Sequence, residues 1–310
     1  MRNATLDYFK VLLAVFVVGI HTSFFIEYSE TVSNLLVDGI FRIAVPTFFL
    51  INGYFFYRSY KAEKTLHWLR RVTLLYIFWM LVYAYAWFRL PLDISEIFRL
   101  MKLFFRGYFH LWYVAALLGA ALLSLWLVKK SLKFSITFIL FMFVIGVMIQ
   151  YAAGLHLFER LSDPFYHRNF LFFALPFFFI GILVNKYQLH KTLDSKKLAI
   201  LAIMASLSFF GEIWLDYKLA GYCDFDLLAS LILLAPIVFM LLLKAGKPGQ
   251  TKTVAAIANG IYFLHVMILQ TLRTHNEHPN SVTLTLLAVV VSVLITLALT
   301  QWAPKAYRVL

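Results

Sequence analysis

A single cysteine, Cys223, occurs in 310 residues, so the chain has no material for a disulfide framework or a cysteine-based metal cluster. Neither a Walker-type GxxxxGK[ST] loop nor an HExxH helix is present, which removes two common motif-borne sites for nucleotides and zinc; no metal is expected. No repeat of fixed period and no Pro/Gly/Ser-rich linker divides the sequence, so a single domain over 1–310 is expected. Charge is scarce as well. Asp, Glu, Lys and Arg make up 14% of the residues, where a soluble domain averages about 25%.

Apolar surface takes the place of charge: 62% of residues are hydrophobic and 18% aromatic. A span needs about 20 mostly apolar residues to cross the hydrocarbon core. Ten such stretches can be drawn, centred near Phe16, Phe48, Phe78, Leu118, Leu140, Phe178, Met204, Leu234, Phe263 and Val293. The expected architecture is an all-α polytopic membrane protein of about ten transmembrane helices. The first stretch, Leu6 to Ile26, exceeds a signal-peptide core and lacks a small-residue cleavage site, so it reads as a retained span.

The few charges are sorted. Nineteen of the 28 cations fall in the termini and even-numbered loops, and eight in the alternate loops; Arg42 alone is left inside a span. Asp7, Glu63 and Asp194 lie on the basic side, and the other twelve acidic residues lie opposite. Lys and Arg mark the cytoplasmic side, which puts both termini in the cytoplasm. The net charge of +13 follows from this asymmetry and from attraction to anionic lipid headgroups; nucleic acid is not an expected partner. The segment PLDISEIFRLMKLFFRGY, residues 91–108, spaces apolar residues helically among charges, as a helix lying in the outer interface does.

Ionisable residues inside apolar helices are costly, so each is a candidate functional residue. Residues 10–21 read KVLLAVFVVGIH. Eleven helical steps return His21 to within about 20° of Lys10, roughly 16 Å along the axis. Ala14, Val17 and Val18 lie between them on that face, slim enough to leave room for something narrow. Taken singly, Lys10 reads as a snorkelling anchor and His21 as an imidazole bonded to a neighbouring helix. The second span, FRIAVPTFFLINGYFF at 41–56, carries Arg42, a guanidinium that cannot shed its proton and must find an acceptor or water. Next comes YRSYKAEKTLHWLRRVTLLY, whose Arg58, Arg70 and Arg71 suit either a topology signal or phosphate groups. His110, Trp112 and Tyr113 open span four, where aromatic belts form. Tyr262 and His265 lie in the apolar NGIYFLHVMIL of span nine.

Together these stretches resemble the acyltransferase-3 family of multi-pass inner-membrane acyltransferases, which includes bacterial surface-polysaccharide O-acetyltransferases. The likeness covers nearly the whole chain. It rests on the basic residue, ten residues and histidine of span one, on FRIAVPTFFLINGYFF, on the Arg-rich stretch ending RRVTLLY, on HLWYV at 110–114 and on GIYFLH at 260–265. Two departures stand out. An Arg-x-x-Arg common in the second loop is here His67-Trp68-Leu69-Arg70 followed by Arg71, and a Ser-Gly-Tyr or Ser-Gly-Phe at the end of span two is Asn52-Gly53-Tyr54.

The resemblance implies a bacterial inner-membrane O-acyltransferase with acetyl-CoA or another acyl-CoA as co-substrate and no permanently bound cofactor. Its acceptor would be a hydroxyl of a glycan, lipid-linked sugar or similar envelope molecule. On that reading Lys10, Arg58, Arg70 and Arg71 hold the CoA phosphates. His21 is then the general base or the acyl-carrying nucleophile. Arg42 stabilises the oxyanion or binds an acceptor phosphate, and His110, Trp112, Tyr113, Tyr262 and His265 receive the acceptor. The competing class is a transporter or flippase, in which His21, Arg42 and His265 line a substrate path. Such folds more often show an internal repeat with broken helices in both halves, and none is visible here.

Overall fold

The computed structural model describes residues 2–221, 225–275 and 280–302. Cys223 and the C-terminal Lys305 and Arg308 lie outside the described residues. Helix accounts for 82% of the chain; the strands among the described residues are one antiparallel pair of two residues each, Arg2–Asn3 with Pro248–Gly249. The principal helices are α1 (Ala4–Thr22), α2 (Ala44–Lys61), α3 (Thr65–Val82), α4 (Ile94–Arg106), α5 (Trp112–Leu127) and α6 (Leu132–Gly154). They continue with α7 (Leu175–Lys186), α8 (Ser195–Ala220), α9 (Leu231–Lys244), α10 (Lys252–His275) and α11 (Ser281–Trp302).

Among the described residues seven helical segments are long and apolar enough to cross a membrane, and two shorter apolar ones span Phe170–Lys186 and Leu231–Lys244. The protein is an all-α polytopic membrane protein. Each of the ten expected span centres falls inside a helix, Phe78 within the more charged α3. Side chains such as Phe141 and Met148 on α6, Ile203 and Leu207 on α8, and Leu286 and Leu294 on α11 are exposed, as lipid-facing positions are. By contacts the chain forms two compact units, residues 1–48 with 188–310, and residues 49–187.

In the first unit, α1 is tied at both ends. Asn3 Oδ1 accepts the Leu6 N–H at 3.0 Å as N-cap, and the Ala4 N–H donates to Lys247 O at 2.8 Å. At the far end the Thr22 and Thr285 hydroxyls meet at 2.6 Å, and Ser281 Oγ accepts the Phe25 N–H at 3.0 Å. The Ser281 hydroxyl and its N–H, the latter at 2.7 Å, both donate to the Glu27 carboxylate. Helix α1 therefore runs parallel to α10 and antiparallel to α11. The buried stripe of α11 is Leu284, Thr285, Ala288, Ser292 and Thr296; small residues let neighbouring backbones approach closely. Thr285, Ser292 and Thr296 each donate to the carbonyl four residues back, which satisfies their hydroxyl protons within the helix.

The second unit is built round fully buried aromatic rings, among them Phe49, Phe56, Phe173, Phe177 and Phe178. Helices α2 and α7 touch backbone to backbone. A Cβ on Gly53 would run into the Phe178 carbonyl, and one on Gly181 into the Leu50 carbonyl, so the contact requires glycine on both helices. Beside it the Asn185 amide donates to Tyr54 O at 2.7 Å, and Asn52 Nδ2 donates to the Tyr113 hydroxyl at 2.9 Å. The Asn-Gly-Tyr run thus fixes three partners in succession. Residues 94–106 form the expected amphipathic helix. No residue of α4 is buried; Asp93 caps it by accepting the Glu96 N–H at 2.8 Å.

Candidate active site

Helix α1 brings His21 to its last turn, where the ring stacks on that of His265 with centroids 5.2 Å apart and planes 24° apart. His265 is fully buried on α10. Its Nδ1 lies 3.0 Å from Ile261 O and 2.7 Å from Tyr262 O. Both neighbours are acceptors, so Nδ1 is the protonated nitrogen of the neutral ring and Nε2 keeps the lone pair. The half-buried Tyr262 ring lies 6.3 Å from His265, and Arg273 Nη2 donates to His21 O at 2.9 Å, fixing the end of α1. The first unit therefore gathers His21, Tyr262 and His265 from two distant stretches of sequence.

Arg42, 4% exposed, is held by two carboxylates. Its Nη2 donates to Asp38 Oδ1 at 2.6 Å, and its Nη1 pairs with Asp226. One guanidinium is thus shared by two carboxylates. The Phe41 ring packs on α1 beside Gly19 and stacks with Phe16 at 4.6 Å, which sets Arg42 near the same end of α1 as His21.

At the opposite end of α1, Lys10 Nζ lies 3.1 Å from Asp7 Oδ1. Asp7, only 2% exposed, accepts a further hydrogen bond from Thr251 Oγ1 at 2.6 Å. Ala14, Val17 and Val18, the residues expected to leave room between Lys10 and His21, are buried. Their slimness lets α1 pack closely against its neighbours.

The remaining candidates belong to the second unit. Arg58 is exposed and its guanidinium lies 5.2 Å over the Tyr54 ring; Arg70 and Arg71 are exposed on α3. The residues of the 110–113 run divide into two groups. His110, 2% exposed, meets the edge of Tyr83 at 5.0 Å, while Trp112 and Tyr113 pack with Phe49 at 6.3 and 4.4 Å. Among the described residues no three His, Cys, Asp or Glu side chains form a metal-binding group.

The pairing of Arg42 with Asp226 and that of the two histidines are not visible in local spacing. Asp7 and Asp38 are the exceptions. They precede Lys10 and Arg42 by about one helical turn, the i,i+3 and i,i+4 spacings at which opposite charges meet. Asn185, in the apolar run FFFIGILVNK, carries the usual signal of a buried polar group: an amide that must find a partner inside a membrane helix.

Fold and site together are those of a helical, polytopic membrane protein with two imidazoles stacked at one end of α1. The model of the acyltransferase-3 family, described as an acyltransferase domain, matches residues 3–301, and the chain belongs to that family. It is also similar to two amino-acid racemases of Enterococcus faecalis. One is 29% identical over 196 residues, covering 57% of this chain and 27% of the relative. The other is 26% identical over 298 residues, covering 86% and 41%. A serine/alanine racemase of Enterococcus gallinarum is 28% identical over 229 residues, covering 67% and 32%. The chain thus spans less than half the length of these relatives. No solved structure matches it.

Proposed function

We propose that this membrane acyltransferase moves an acetyl group from cytoplasmic acetyl-CoA to a hydroxyl of a glycan, lipid-linked sugar or similar envelope acceptor. The observation that carries the reading is the His21–His265 stack at 5.2 Å in a chain of this family. His21 takes the proton of the acceptor hydroxyl as its oxygen attacks the thioester carbonyl. The C–S bond then breaks, and the departing thiolate of CoA receives that proton. An imidazole suits both transfers because its pKa lies near the operating pH. Attack by His21 itself, through an acyl-imidazole, is the alternative route. Buried His265, with its protonated nitrogen fixed by two carbonyls, holds the His21 ring and faces the acceptor with Tyr262.

Arg42 is the group proposed to receive the developing oxyanion or an acceptor phosphate. It does so by exchanging one of its two carboxylates for the substrate's charge. Lys10, Arg58, Arg70 and Arg71 hold the CoA phosphates, and His110, Trp112 and Tyr113 contact the acceptor. Because Ala14, Val17 and Val18 are buried, the pantetheine arm runs beside that face of α1 rather than along it. The proposal includes ten spans in one domain over 1–310, both termini in the cytoplasm, and a place in a bacterial inner membrane.

A second reading rests on the same ionisable groups inside an apolar helical protein, which suit a substrate path as well as a catalytic site: a transporter or flippase whose path is lined by His21, Arg42 and His265. Mass spectrometry of envelope glycans and lipids from a deletion strain separates the two. Loss of a one-acetyl mass increment from one envelope molecule supports transfer and identifies the acceptor. An unchanged acetylation profile with altered amino-acid uptake supports transport.

A further inference from the structure

The second unit contains a cavity of about 550 Å³ between α3, α4, α5 and the segment 165–170, within the range of about 300–1,000 Å³ usual for small-molecule sites. Its wall is nearly all apolar, with Tyr76, Phe104, Trp112, Ala115 and Leu122 among the lining residues. Two lining side chains are charged, Arg106 and Arg168, and both are cations. Arg106 Nη1 pairs with Asp163 Oδ2 at 2.6 Å, and its guanidinium sits 4.0 Å from the Phe165 ring. Arg168 lies 5.7 Å from the Trp112 ring. Burial works to raise the Asp163 carboxyl, but the Phe165 N–H, Arg106 and Lys102 hold it below the usual carboxylate range. Two cations, Arg106 and Lys102, thus act on one carboxylate, a positive excess beside an apolar slot.

Helix α4 sets the depth of this charge. Ile94, Ile97, Phe98, Met101 and Phe105 recur every three or four residues and are all exposed, while Glu96, Arg99, Lys102 and Arg106 occupy the other positions. A helix of this pattern lies in the interface with its apolar face among the acyl chains, which puts Arg106 at headgroup level.

From this arrangement we infer that the cavity seats one hydrocarbon chain of an anionic phospholipid from the bilayer, with Arg106 and Arg168 on its phosphate. Guanidinium and phosphate form paired, charge-assisted hydrogen bonds, and the slot supplies the contact that a free phosphate cannot use. The site shares Trp112 with the proposed acceptor contacts.

The test measures lipid retention by native mass spectrometry and thermal unfolding of the delipidated, purified full chain with phosphatidylglycerol, phosphatidylcholine or inorganic phosphate. Phosphatidylglycerol should bind at least about tenfold more tightly than phosphatidylcholine, a difference equivalent to about 1.4 kcal/mol, and inorganic phosphate should give no comparable shift. Arg106→Gln with Arg168→Gln should abolish the preference, and Ala115→Phe, which fills the slot, should weaken both lipids. Equal affinity of wild-type protein for the two lipids, or the same shift from inorganic phosphate alone, overturns the proposal without reference to any variant. So does undiminished lipid binding in a folded Ala115→Phe chain.

Discussion

The imidazole of His21 lies against that of His265, 5.2 Å between centroids and 24° between planes, on two parallel helices far apart in sequence. His265 has its Nδ1 committed to the carbonyls of Ile261 and Tyr262. One ring of the pair is thus oriented by backbone, and the other is placed by the ring it stacks on.

The contact between α2 and α7 depends on two glycines. Gly53→Ala and Gly181→Ala each put a methyl group against a backbone carbonyl of the facing helix, so the helices must separate. Each should lower stability by about 1–3 kcal/mol, the usual cost of overpacking. The double variant should cost less than the sum, because the first separation already makes room for the second methyl. Gly211→Ala is the control, since a Cβ there meets nothing within 4 Å. Thermal unfolding in detergent measures all four; a Gly53→Ala midpoint equal to wild type would refute the contact.

Arg42 should be structurally indispensable while Asp38 and Asp226 carry charge. Removing one partner of a buried ion pair typically costs about 3–5 kcal/mol, because the opposite charge is left buried. Arg42→Ala should therefore greatly reduce the yield of folded protein, and adding Asp38→Asn and Asp226→Asn should recover much of it. Gel filtration after detergent extraction reads this directly. An Arg42→Ala chain that folds like wild type would show that water satisfies both carboxylates.

Much of this architecture is legible in the sequence, because span hydrophobicity is a local sum. All ten expected centres fall in helices, and the 3–4 spacing of Ile94, Ile97, Phe98, Met101 and Phe105 marks α4 as amphipathic. Pairings across the chain are not legible in the same way. Nothing near Arg42 announces that Asp226 will reach it, and nothing in GIYFLH announces a second imidazole. The stripe of Ala14, Val17 and Val18 is buried, and in a helical bundle slim side chains also permit close packing.

Glu27 gives the pH dependence a sign. Burial works to raise its carboxyl, but the Ser281 hydroxyl and backbone N–H outweigh it and hold the group below its ordinary value of 4.5. A lowered folded-state value contributes stability that is present above the unfolded pKa and lost as pH falls through the folded one. The midpoint difference between wild type and Glu27→Gln should therefore be largest near neutral pH and shrink through the acid range below pH 4.5. A difference that stays constant down to pH 3 would mean that the bonds to Ser281 do not depend on the carboxylate's charge.

Arg70 and Arg71 are exposed on α3, where a topology signal and a phosphate site look alike. Charge-preserving Arg70→Lys with Arg71→Lys should keep insertion intact but weaken acetyl-CoA binding, since lysine lacks the planar fork. Binding of acetyl-CoA to the purified double variant measures this; unchanged affinity would leave the pair a topological role alone.

Acetyl transfer by purified His21→Gln decides whether the stacked pair is chemical or structural. Glutamine keeps polarity and hydrogen-bonding capacity but cannot take up a proton at neutral pH. A positioned general base contributes roughly 10²- to 10⁴-fold, whereas a lost interhelical hydrogen bond costs about 1 kcal/mol of stability. His21→Gln should fold, bind acetyl-CoA nearly as wild type does, and lose at least about 100-fold in turnover. Near wild-type turnover would overturn the catalytic assignment and leave His21 as a packing residue in a transport path.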